Sequence, residues 1–250
     1  MSTLHDLQRP LGRSGFRVSP LGLGTVKLGR DQGVKYPNGF VIPDDQAATA
    51  LLNQARELGI NLIDTAPAYG VSEERLGPLL RGQRDDWVLV SKVGEEFVNG
   101  QSHFDFSPGH ARFSVERSLQ RLLSERIELV LLHSDGNDLV LLEERGLLEE
   151  MNRLKQEGKI GAWGLSGKTV AGGLRALEIS DCAMVTYNLT NQDELPVLDY
   201  AALHGKGILI KKALASGHAC LNPQVDPVRA SFELIFSHPA VTSAIVGTIN

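Results

Sequence analysis

The stretch Asn61-Leu-Ile-Asp64-Thr-Ala-Pro-Ala-Tyr69-Gly70 decides how the chain is read. Leu62 and Ile63 form a short buried strand, and Asp64 sits where that strand emerges. Pro67 and Gly70 punctuate a loop, and Ser72 followed by Glu73 and Glu74 opens a helix. The unit is therefore a strand, a loop bearing an acid and a phenol, and a helix.

The same unit repeats on both sides. Upstream, Ser19 to Thr25 reads as a first strand thinned by glycines, after a turn-rich segment Leu11 to Val18. A polar loop from Arg30 to Pro43 is long enough to suggest a function. Asp44 and Asp45 then start a helix whose Ala48, Leu51, Leu52, Ala55 and Leu58 share a face, ended by Gly59. Downstream, a helix from about Ser72 to Leu80 leads to the strand Trp87 to Val93 and a polar loop from Glu95 to Phe106. Ser107-Pro108 caps a helix carrying Ala111, Val115, Leu119 and Leu122, and the buried strand Ile127 to His133 follows. A helix marked by Leu147, Leu148, Met151 and Leu154 leads to the strand Ile160 to Ser166. The remaining units are the helix Val170 to Leu177, the strand Ala183 to Tyr187, the helix Pro196 to Leu203, the strand Gly207 to Ile210, the helix Pro227 to Phe236 and the strand Ser243 to Gly247. This makes eight strands and seven intervening helices in one unit, residues 1–250, without a linker or low-complexity break.

Alternating strands and helices require parallel strands with right-handed crossovers, in a closed barrel or an open doubly wound sheet. Asp64, Lys92 and His133 all fall at the C-terminal ends of consecutive strands, where a closed barrel collects its chemistry and an open sheet would spread it. The fold class expected is therefore α/β, an eightfold (β/α) barrel. The sequence stops at Asn250, directly after the eighth strand, so the final outer helix is expected to be absent or truncated.

Composition narrows the function. With 250 residues, 42% hydrophobic and 22% charged, the chain can bury a large core. A net charge of −5 and no Lys/Arg-rich run speak against nucleic acid. No run approaches the ~20 apolar residues of a membrane helix, so a cytoplasmic protein is expected. Cys182 and Cys220 lie in no metal-ligand spacing and read as free thiols in a reducing compartment. His133 has no second ligand nearby in sequence and Lys92 would repel a cation, so no metal is expected. Oligomeric state is not legible.

Four polar residues are expected to converge. Lys92 is carried to the barrel mouth by an apolar strand and needs a partner, which Asp64 supplies. An ammonium near Tyr69 would lower the phenol's pKa and make it a usable proton donor. His133, as neutral imidazole, would donate to a carbonyl oxygen. Taken singly, each has a plain structural reading: a satisfied histidine, a packed tyrosine, an inter-strand salt bridge.

Asp64 through Tyr69-Gly70 and Ser72-Glu73, then Ser91-Lys92-Val93 and Leu131-Leu132-His133, resemble the aldo-keto reductase superfamily in order and spacing. The resemblance runs on through Gly164-Leu-Ser166-Gly, Tyr187-Asn188-Leu189, Lys211-Lys212-Ala-Leu-Ala-Ser-Gly217 and Ala244-Ile-Val-Gly-Thr248, covering the chain from about Leu11. It implies the eightfold barrel and reversible hydride transfer between a nicotinamide cofactor and a small aldehyde or ketone. Tyr69 would be the general acid, Lys92 and Asp64 would tune it, and His133 would orient the carbonyl. NADP(H) is the cofactor that family habit implies, with NAD(H) left open. The implied cofactor contacts are Gly24 and Thr25 near the nicotinamide with Asp64, Met184 and Lys211, Ser166 at its carboxamide, and Leu214, Ser216, Gly217, Gly247, Thr248 and Asn250 along the pyrophosphate and adenosine. Three positions depart from the family's habit: Gly167 where Asn is frequent, Met184 where Gln is usual, and Lys211 where many members stack an aromatic ring. Those departures keep a second function in view, a cofactor-binding sensor or regulatory subunit with weak catalysis.

Two look-alikes fail on context. In Gly22-Leu-Gly24-Thr-Val-Lys-Leu-Gly29 the third glycine is misplaced for a dinucleotide fingerprint. Gly167-Lys168-Thr169 ends like a phosphate-binding loop but has Ala162 where the first glycine belongs, although Lys168 can still lie near a cofactor phosphate. Tyr36, Phe40, Phe97 and Phe104 are the candidate apolar walls for substrate.

Overall fold

The computed structural model describes residues 7–221 and 226–249. Asn250 and the side chain of Cys220 lie outside the described residues.

The short strands β1 (Arg9–Pro10) and β2 (Arg17–Val18) form an antiparallel hairpin ahead of the barrel. Eight parallel strands then close on themselves in chain order: β3 (Leu21–Gly24), β4 (Leu62–Asp64), β5 (Val88–Val93), β8 (Ile127–His133), β9 (Ile160–Ser166), β10 (Cys182–Thr186), β11 (Gly207–Lys211) and β12 (Val241–Val246). Between β5 and β8 a second hairpin, β6 (Glu95–Val98) and β7 (Gln101–Phe104), rises from the mouth. The sequence reading took this segment for a polar loop. Gln101, Ser102, His103 and Phe104 are all exposed, so no alternating buried face marks it as strand.

Helices α1 (Asp45–Glu57), α2 (Ser72–Leu79), α3 (Pro108–Arg121), α5 (Arg145–Gln156), α6 (Val170–Ile179), α7 (Leu195–His204) and α8 (Pro227–Ser237) wrap the barrel, with a short α4 (Asp138–Leu141) after β8. Among the described residues no helix follows β12, and no helix is long and apolar enough to cross a membrane. Asp44 caps α1 by accepting from the Ala47 amide, and Ser107 caps α3 by accepting from the His110 amide. Two local expectations change. Leu58 is the last cap of α1 and is 55% exposed, because the helix ends before its face completes another turn. Ser72 begins α2 but caps nothing; its hydroxyl instead donates to Thr25 across the loop.

The core has two shells. Inside the barrel, Leu62, Val90, Leu129, Leu131, Ala162, Met184 and Leu209 pack together, with Leu11 and Val18 of the first hairpin joining them. Outside it, Leu52, Leu89, Val115, Ile127, Met151 and Trp163 lie in the layer between strands and helices. Most strand positions are therefore apolar on both faces; buried polar residues inside strands, such as Glu128, Ser91 and Ser243, are few, and charged strand ends are the further exceptions the fold must accommodate.

Candidate active site

The strand-end exceptions sit at the top of the barrel. Asp64 ends β4, Lys92 is next to last in β5, His133 ends β8, Ser166 ends β9 and Lys211 ends β11. They line one cavity of about 880 Å³ together with Tyr69. Gly24, Thr25, Met184, Leu214, Ser216, Gly217 and Gly247 also line it, as the sequence reading implied. Thr248 does not, and Asn250 lies outside the described residues.

Asp64 is 3% exposed and Lys92 2%. Two charges so far from water persist only as a pair. The Lys92 ammonium donates to Asp64 Oδ1 at 2.7 Å and to the Thr65 carbonyl at 2.8 Å. It also lies 4.6 Å from the centre of the Tyr69 ring. Tyr69 OH points to Asp64 Oδ2 at 3.4 Å. The expected lowering of the tyrosine pKa is not found. Burial first, then the charges of Asp64 and Glu95, push the phenol well above its ordinary value of 10. Tyr69 thus keeps its proton at any ordinary pH.

The loop that presents Tyr69 is locked by a backbone crossing. Gly70 has φ +63°, and a Cβ there would strike the Gly29 carbonyl. A Cβ on Gly29 would in turn strike the Tyr69 carbonyl and the Ser72 amide. The Val71 amide donates to Gly29 O at 3.3 Å. Below it, Thr25 Oγ1 donates to the Asp64 carbonyl at 2.9 Å and Ser72 Oγ to Thr25 Oγ1 at 2.8 Å. The Thr25 hydroxyl is therefore committed to the fold, although the residue lines the cavity.

His133 differs from expectation too. Its Nδ1 lies 2.8 Å from Glu95 Oε2, in an ion-pair contact bent from ideal hydrogen-bond geometry. Burial lowers the imidazole pKa from 6.5, against the pull of Glu95 and with the help of Lys92 and Lys211. Burial works to raise Glu95, but contact with His133, the Ser102 hydroxyl and the Arg30 charge hold it at about 2. A neutral His133 with its proton on Nδ1 has only a lone pair on Nε2. In that tautomer Nε2 is an acceptor, and the donor role toward a carbonyl oxygen expected from sequence needs a proton on Nε2.

Lys211, one of the three departures, has a structural role. Its ammonium donates to Ser166 Oγ at 3.2 Å and to the Gly167 carbonyl, bracing the end of β9 from two strands away. Burial brings its pKa down to about 8, opposed by Glu194 and reinforced by Lys212 and Lys92. Between that value and 10.5, the native chain holds fewer protons than the unfolded one, so stability rises with pH across this window. Lys211→Met should remove the slope. The variant's stability advantage over wild type, measured by urea unfolding, is expected to shrink by about 3 kcal/mol from neutral pH to the top of the window. A difference independent of pH would sink the buried-ammonium account.

Lys27, Lys35, Lys168, Lys211 and Lys212 all line the cavity, against the acids Asp64, Asp193 and Glu194. Such a basic wall, with glycines at 24, 167, 217 and 247, suits an anionic ligand held close to backbone. Sequence reasoning missed Lys27, Lys35 and Lys212; the first two come from the one connection between β3 and α1 and the third from the end of β11, far apart in sequence. The Gly167-Lys168-Thr169 amides are not a phosphate cradle. Lys168 N, Thr169 N and Thr169 Oγ1 all donate to the buried Asp138 carboxylate. Of the four aromatic candidates only Tyr36 lines the cavity. It meets Phe40 edge-on, while Phe97 carries the Arg30 guanidinium and Phe104 stacks on Phe106.

The arrangement has known counterparts. The Aldo/keto reductase family profile matches residues 20–222. A solved Pseudomonas aeruginosa structure assigned to the aldo-keto reductases superposes with TM-score 0.90 at 66% identity, covering 99% of this chain and 91% of that one. L-galactose dehydrogenase of Arabidopsis thaliana is 31% identical over 227 residues, 84% of this chain and 66% of that enzyme. Oxidoreductase YqkF of Bacillus subtilis, whose activity is uncharacterised, is 33% identical over 163 residues, 64% of this chain and 48% of its own length. The chain thus spans about half to two thirds of these curated relatives. With a closed parallel barrel, polar strand ends gathered at one mouth and a profile match over most of its length, this chain belongs to the aldo/keto reductase family.

Proposed function

We propose that the protein is an oxidoreductase interconverting a small aldehyde or ketone and its alcohol, with NADP(H) as cofactor. The observation that carries this reading is the meeting of Asp64, Tyr69, Lys92 and His133 at one end of a cavity walled with lysines. When bound, the cofactor supplies or takes the hydride. Ser166, Gly24, Gly217 and Gly247 would hold it, with Lys27, Lys35, Lys168 and Lys212 facing its phosphates; the extra 2′-phosphate of NADP(H) suits that many cations. Tyr69, protonated throughout the working range, gives its proton to the carbonyl oxygen in reduction. Lys92 and Asp64 fix the ring's surroundings and the local field, and His133 orients the substrate oxygen. We read residues 1–250 as one such unit working in the cytoplasm, where its small-molecule substrate is the one partner required.

The test follows the absorbance of reduced nicotinamide with NADPH and NADH, against a panel of aldehydes, ketones and sugars. Turnover with a preference for NADPH is expected. Equal use of NADH would remove the 2′-phosphate argument. Cofactor binding without turnover on any substrate would favour the sensor reading.

A further inference from the structure

Two strand-end lysines line the cavity, and their surroundings differ. Lys92 is held by the Asp64 carboxylate at 2.7 Å and the Thr65 carbonyl at 2.8 Å, so its charge is fixed. Lys211 bonds to neutral oxygens, Ser166 Oγ at 3.2 Å and the Gly167 carbonyl, and no carboxylate pairs with it among the described residues. Burial works against its charge; around it, Glu194 and Asp138 favour the ammonium while Lys92 and Lys212 oppose it, and His133 feels its field in turn.

A neutral amine has two hydrogens and one lone pair. Ser166 Oγ and the Gly167 carbonyl can accept both hydrogens, which leaves the lone pair to the cavity. The neighbouring Lys212 is also held below its ordinary value, by burial and by the charges of Lys35 and Lys168, against the pull of Glu194. Three cations from three connections therefore crowd one part of the same cavity, a setting that suits a phosphate. We propose that Lys211 condenses with an aldehyde that carries a phosphate, forming an imine in the cofactor-free protein while Lys35, Lys168 and Lys212 hold the phosphate. The nitrogen lone pair attacks the carbonyl carbon, and the carbonyl oxygen takes one of the two N–H protons, through water, to give a carbinolamine. The C–O bond then breaks, and the hydroxyl leaves as water with the other proton. Nothing is oxidised or reduced. Because Ser166, the partner of Lys211, is proposed to hold the cofactor, the imine and the bound cofactor exclude each other. The proposal rests on the oxidoreductase reading for its choice of a carbonyl compound as ligand.

The test uses the full chain without cofactor and glyceraldehyde 3-phosphate as the probe. Cyanoborohydride traps the imine as a stable amine, and peptide mass spectrometry locates it. Near neutral pH an amine with a pKa of about 8 is uncharged roughly 10² times more often than one at its ordinary 10.5. Lys211 should therefore be modified at least about tenfold faster than any other lysine, at a rate that saturates with probe concentration. Glyceraldehyde, which lacks the phosphate, should modify Lys211 at least about fivefold more slowly at equal concentration. Lys211→Arg keeps the charge and should lose the saturable adduct, read from the intact mass. Modification spread evenly over the lysines, centred on Lys212, or linear in probe concentration overturns the proposal, and the wild-type map decides this even where a variant fails to fold. Equal rates with the two aldehydes overturn the phosphate's part in it. NADPH should slow the modification of Lys211 by about tenfold. Undiminished modification in its presence would overturn the proposed cofactor placement and leave the imine standing, so the two readings fail separately.

Discussion

Tyr69→Phe is expected to lower kcat for carbonyl reduction by about 10³-fold, the contribution of a well-placed general acid. The substitution keeps the ring and its packing beneath the cavity and removes one hydroxyl. That hydroxyl makes a long contact, 3.4 Å to Asp64 Oδ2, while Asp64 keeps its shorter bond to Lys92. Stability should therefore change by less than about 1 kcal/mol, and cofactor affinity by less than threefold. This separation of effects gives the experiment its force. A variant retaining more than a tenth of wild-type kcat, with unchanged affinity, would remove Tyr69 as the acid. The phenol's high pKa adds a second check. No limb of the reduction profile at or below neutral pH should belong to Tyr69, so a limb found there should vanish in His133→Asn and persist at the same pH in the residual activity of Tyr69→Phe.

Lys92→Met is expected to be the most destabilising single change in the site. It leaves the Asp64 carboxylate, 3% exposed, with a distant phenol as its remaining side-chain partner. Breaking a buried pair from one side costs about 3–5 kcal/mol, which in a chain of this size lowers Tm by about 10 °C. Adding Asp64→Asn removes the stranded charge, so the double variant should regain at least half of the loss. Thermal melts of the two singles and the double make the cycle. If the losses simply add, Asp64 and Lys92 are not acting as a pair. Both variants should be inactive whatever their stability, which keeps the two roles of the pair distinct.

The strand-borne half of the site was legible in the sequence because a parallel barrel strand is apolar on both faces. A polar residue at the end of Leu62-Ile63 or Leu131-Leu132 breaks that pattern at the one place where the barrel opens, and the fold sets such residues side by side. What was illegible depends on groups that come from elsewhere. Glu95 and its hairpin show no buried alternation, so a carboxylate against His133 looked like part of a solvated loop. The sign of the Tyr69 shift was misjudged because a nearby lysine can be inferred from strand order, whereas burial and the proximity of Asp64 and Glu95 cannot. The lysines at 27 and 35, in the connection after β3, meet Lys212, after β11, only when the barrel closes. Lys211 was legible as a departure from family habit, but its grip on Ser166 and Gly167 was not.

The contact between Gly29 and Gly70 has a consequence for time as well as space. Tyr69 is tied through it to the turn after β3, and neither partner can swing while the other stays. A loop joined to its neighbour in this way is expected to open only together with the turn after β3. Any gating step that limits turnover should therefore report on the β6–β7 hairpin, where Arg30, Phe97 and Glu95 meet, and the proton donor itself should respond as quickly as the barrel breathes.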